Sequence, residues 1–85
     1  MCTMIAERLK VQGSGKGREG WFRLTQAYVS YDHPVHASLD HALNIDFVND
    51  GSGLGARVAV ELDAASAEQL ARAILAALEQ AKTHA

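Results

Sequence analysis

The chain reads as an α+β domain: a four-stranded, mainly antiparallel sheet followed by one C-terminal helix packed on one face, in the order ββββα. Three observations predict this. Residues 41–48 and 56–62 alternate apolar and polar side chains with a period of two. Clusters of glycine, asparagine and proline interrupt the earlier apolar runs. The last segment repeats apolar residues at three- and four-residue spacing.

Residues 3–12 form the first strand. Ile5, Leu9 and Val11 share one parity, with Glu7 blunting the alternation. The run Gly13-Ser14-Gly15-Lys16-Gly17-Arg18-Glu19-Gly20 reads as a flexible connection, because glycine weakens a strand interior. Trp21 to Tyr31 is the second strand, rich in aromatic and β-branched residues that suit a half-buried pleated surface. Pro34, which has no amide donor, ends it. In 41–48, Leu43, Ile45 and Phe47 face a core while Asn44 and Asp46 face away. Asn49-Asp50-Gly51-Ser52-Gly53 is a turn by composition. In 56–62, Val58, Val60 and Leu62 point inward and Arg57 and Glu61 outward, which predicts a hairpin with the preceding strand.

The remainder is helix. Asp63 can cap it, and Ser66-Ala67-Glu68-Gln69 reads as a capping box one turn on. Ala67, Leu70, Ala71, Ile74, Leu75 and Leu78 make one apolar stripe. At ~1.5 Å per residue such a helix is about 27 Å long, enough to lie across one sheet face.

Eighty-five residues make one domain, spanning 1–85. A chain this short buries only roughly 60–65% of its unfolded surface, so its core is modest. One cysteine rules out an internal disulfide framework. Association into a homo-oligomer, most simply a dimer, is the expected supplement. The net charge of −2, with acids and bases interspersed, argues against a nucleic-acid or anionic-membrane partner. No apolar run is long enough to span a bilayer, and the start lacks the apolar core of a secretory signal, so a reducing cytoplasm is the expectation.

The densest chemistry is Asp32-His33-Pro34-Val35-His36-Ala37-Ser38-Leu39-Asp40-His41. Neutral imidazoles ligate zinc, copper, iron or nickel, and they also relay protons. His33, His36 and His41 can supply the three protein ligands of a catalytic zinc site, with Asp32 and Asp40 orienting the rings. The spacing fits no established metal signature, and loop histidines bonded to backbone are the plainer alternative. Asp32 before a proline turn also has a plain role, accepting backbone amides in an Asx turn. Cys2 is a fourth candidate ligand, or a small apolar packing group. Lys16 and Arg18 lie in a G-x-G-x-x-G run followed by a strand rather than a helix. That context rules out a dinucleotide fold but leaves room for a small anion.

Several phrases run together distinctively: the Met-Cys-Thr start, Gly-Ser-Gly-Lys-Gly, Gly20-Trp21-Phe22, Tyr31-Asp32-His33-Pro34, Leu43-Asn44-Ile45-Asp46-Phe47 and Ala56-Arg57-Val58-Ala59-Val60-Glu61-Leu62. On these, nearly the whole chain resembles a small bacterial family of unknown function, seen largely in actinobacteria. The resemblance implies a standalone single-domain protein and brings no activity with it. From the residues, two functions are expected. One is a small homo-oligomeric protein whose histidine-rich loop is a metal or proton-transfer site acting on a small molecule, with zinc as the default metal. The other is a non-enzymatic assembly or anion-binding module.

Overall fold

A computed structural model describes residues 5–53 and 55–83. Four strands form one sheet: β1 (Ile5–Gly17), β2 (Gly20–Asp32), β3 (Ala42–Val48) and β4 (Arg57–Leu62); the helix α1 (Ala64–Thr83) follows. The sheet is a meander of order β1-β2-β3-β4, every pair antiparallel. The ββββα reading therefore holds.

The register fixes the two faces. Leu43 pairs with Leu62 and Tyr31, Ile45 with Val60 and Val29, and Phe47 with Val58 and Ala27. These residues share the helix-bearing face, because directly opposed residues point the same way. The second face carries Tyr28, Ser30, Asn44, Asp46, Ala59 and Glu61. It is polar and partly paired with itself. Arg57 donates to Asp46 Oδ1 from both Nε and Nη2, at 3.0 and 2.7 Å.

One expectation is corrected. The tract from Gly13 to Gly17 is strand, not a loop: Gly13 pairs with Leu24, Gly15 with Phe22 and Gly17 with Gly20. Only Arg18 and Glu19 form the turn. Val11 and Gln12 together stand opposite Thr25, a bulge that bends β1. The glycines let the bent strand end approach β4. A Cβ on Gly15 would lie 3.0 Å from Leu24 Cδ2 and 3.4 Å from Val58 Cγ2. One on Gly17 would lie 3.3 Å from the carbonyl oxygen of Gly55. Glycine here marks close packing across the curled sheet rather than a break in it.

The β3–β4 connection is the predicted turn. Asn49 Oδ1 accepts from the Gly51 amide at 2.9 Å, and Asn49 Nδ2 donates to the Arg23 carbonyl at 3.0 Å. Gly53 has φ 83°, a conformation that favours glycine.

Asp63 is the N-cap of α1. Its Oδ1 accepts from the Ser66 amide at 2.7 Å, and the Ser66 side chain and amide together hold its carboxyl below the usual aspartate range. Ser66 thus belongs to the first cap rather than starting a second one. Asp63→Ala is expected to fray the first turn and lower the thermal midpoint, whereas Asp63→Asn preserves both; far-ultraviolet circular dichroism through a melt checks this.

The helix lies over the face built by Val29, Leu43, Ile45 and Leu62, leaving a cavity of about 330 Å³ between them. Cover is partial. None of the helix's described side chains is buried. Among the described residues the buried apolar set is three alanines: Ala27, Ala42 and Ala56.

Candidate functional site

The β2–β3 loop is held by a carboxylate from a distant strand. Glu61, near the end of β4, faces the second side of the sheet. Its Oε2 accepts from the Val35 amide at 2.6 Å and its Oε1 from the Ala37 amide at 2.8 Å. The His36 amide lies between, 3.0 Å from Oε1. Three successive amides converge on one carboxylate, a small anion-binding nest occupied by the protein's own side chain. The amides of Val35 and Ala37, with smaller help from the His36 amide and imidazole, hold the Glu61 carboxyl below the usual glutamate range.

Pinned this way, the loop turns two of its histidines onto the end of the sheet. His41, just before β3, stacks on Tyr31 near the end of β2, with centroids 5.7 Å apart and planes at 15°. His33 stacks on His41, with centroids 4.7 Å apart and planes at 27°. The result is a ladder of three rings, Tyr31–His41–His33. His33 Nδ1 is 2.8 Å from the Asp40 carbonyl oxygen. A carbonyl has no hydrogen to give, so Nδ1 is the donor. In the neutral ring Nε2 is then the acceptor nitrogen, the form that binds a metal or takes a proton.

The expected residues take different places. His33 and His41 come together. His36 is engaged through its backbone on Glu61. Asp32 Oδ1 accepts from the His33 amide at 2.7 Å; this is not the expected Asx turn, which needs the amide two residues on, and Pro34 has none. Asp40 orients His33 through its backbone carbonyl. Among the described residues no three His, Cys, Asp or Glu side chains are grouped to hold a metal ion; Cys2 lies outside those residues. The loop of exposed amides expected around Lys16 and Arg18 does not form, because Gly13, Gly15 and Gly17 pair in the sheet. Lys16 instead lines a cavity of about 320 Å³ with Trp21, Leu24, Phe47 and Val58, and Arg18 is exposed in the turn.

Two residues of the candidate site escape the sequence reading, Glu61 and Tyr31. Glu61 looks like an ordinary outward-facing strand residue, and its partners lie 24 to 26 positions away. Tyr31 carries no local signal, because its neighbour His41 is set by strand pairing.

No helix among the described residues is long and apolar enough to cross a membrane. No curated protein and no solved structure matches the chain. A family model does, over residues 1–85, and the chain belongs to that family, described as a family of unknown function (DUF6295).

Proposed function

For this member of a family of unknown function, we propose that the end of the sheet is a paired-imidazole site that exchanges a proton with a small bound molecule. A divalent transition metal, zinc by default, is the alternative occupant. The observation that carries the reading is the Nδ1 contact of His33 to the Asp40 carbonyl beneath a stacked His41. That contact selects one tautomer and fixes the ring plane, the task of backbone acceptors behind catalytic and metal-bound histidines. Tyr31 and His41 add flat ring surface against which a planar ligand can lie.

A zinc ion needs at least a third protein ligand beyond His33 and His41. His36 and Cys2 are the candidates, with Asp32 and Asp40 fixing the loop around them. Proton exchange needs no third ligand, and for that reason it is the leading form of the proposal.

Imidazole resonances followed by NMR, with and without zinc, test this. The two stacked rings are expected to show mutual nuclear Overhauser contacts, which disappear in His41→Ala. Stoichiometric zinc uptake lost in both His33→Ala and His41→Ala selects the metal form. Rings without mutual Overhauser contacts, together with no zinc uptake, reject both forms. The second reading is a non-enzymatic assembly module, favoured by the unburied helix.

A further inference from the structure

We propose that α1 and the sheet face beneath it form a self-association surface whose occupant is a second copy of this chain. This deepens the assembly reading and does not depend on the imidazole pair.

The chain exposes 6778 Å². A compact protein of 9.1 kDa is expected to expose about 4,900 Å². The excess, about 1,900 Å² per chain, is what a permanent homodimer interface removes from each partner. The shape agrees. The radius of gyration is 14.4 Å against about 12 Å for a compact chain of this length. The body measures 47 × 31 × 19 Å, far from a sphere.

Leu70, Ile74, Leu75 and Leu78 are 44%, 52%, 67% and 56% exposed along one stripe. Leu70 and Ile74 line the cavity shared with Val29, Leu43, Ile45 and Leu62; Leu75 and Leu78 do not. The stripe thus continues beyond the sheet cavity. A lone chain whose buried apolar residues, among those described, are three alanines has too little core of its own. The missing core must come from a chain present whenever this one is made, and a second copy meets that condition. The opposite sheet face is not available for the purpose, since it is polar and closed at one end by the loop seated on Glu61.

On the polar side of α1, Arg72 pairs with Glu68 at 2.7 Å and Lys82 with Glu79 at 3.8 Å. The helix therefore has no net cationic face to draw an anionic lipid or nucleic acid. Its attractive surface is apolar and uncharged, which suits an identical surface related by a two-fold axis.

Sedimentation equilibrium of the intact chain is expected to give twice 9.1 kDa. The unfolding midpoint is expected to rise with chain concentration, as it does when folding and association are coupled. Leu75→Glu/Leu78→Glu should give monomeric or unfolded chain. Leu75→Ala/Leu78→Ala keeps helix-favouring residues and should weaken the dimer about a hundredfold. Arg72→Ala should leave the mass unchanged. A folded wild-type monomer at micromolar concentration overturns the proposal and the assembly reading together. A wild-type dimer that both leucine double variants leave intact overturns this surface alone. A monomer that binds phosphatidylserine vesicles through the stripe overturns the second copy in favour of lipid.

Discussion

Ala27→Asp is expected to unfold the chain. Ala27 is 3% exposed at the centre of the sheet, paired with Leu9 on one side and Phe47 on the other. Its methyl group points into the helix-bearing face, between the apolar side chains of Leu9 and Phe47. An ionised group buried without a partner costs at least about 3 kcal/mol. A small domain holds only about 5–15 kcal/mol in total, and a core this slight belongs at the lower end. Urea midpoints at one fixed chain concentration measure the loss. Ala65→Asp is the control. Ala65 is exposed in the first turn of α1, where a negative charge suits the helix dipole, so its midpoint should hold or rise slightly. The Ala27→Asp deficit should also shrink as pH falls toward about 4, because burial raises the introduced carboxyl above its ordinary value and it protonates in the folded chain first. A midpoint within error of wild type would mean that the pleat does not turn Ala27 into the packed face.

The same position shows what a sequence reveals and what it withholds. The alternation of Leu43, Ile45 and Phe47 against Asn44 and Asp46 is local, and it correctly placed β3 and its faces. The helix start was equally legible, because an N-cap and its amide partner are three residues apart. The glycine tract was misread for the opposite reason. Glycine signals a turn when only neighbours are considered, yet Gly15 and Gly17 are small because Leu24, Val58 and the Gly55 carbonyl crowd them. Those contacts arise from the curl of the sheet, which no short window encodes. The histidine-rich loop was flagged by density alone, and two of its rings do meet. Which two meet depends on the Asp32–Ala42 pairing at the strand ends and on a carboxylate from β4. The stripe on α1 was plain as a pattern, but a pattern does not say how much of it the chain's own sheet will cover.

Acidification is expected to release the β2–β3 loop before the sheet itself melts. Glu61 is the reason. Its carboxyl is held below the usual glutamate range first by the Val35 amide and then by the Ala37 amide. Its folded value thus lies below its unfolded one, near 4.5. Linkage then fixes the sign. The stabilisation is fully present above the unfolded value and is lost as pH falls through the folded value, so the window opens below about pH 4.5. Protonation removes the charge that the three amides solvate, and their hydrogen bonds weaken to ordinary neutral ones. The amide resonances of Val35, His36 and Ala37 should therefore move together through one transition in that window and exchange faster below it. Glu61→Gln keeps the length and shape but not the charge. It also offers one acceptor oxygen where the carboxylate offers two. In that variant the three amides should show no carboxyl transition and should exchange faster at neutral pH. The stacked His33 and His41 rings, carried by the same loop, should lose their mutual nuclear Overhauser contacts while the β3–β4 hairpin keeps its own. Flat wild-type amide profiles from neutral pH down to the acid limit of folding would show that Glu61 does not hold the loop.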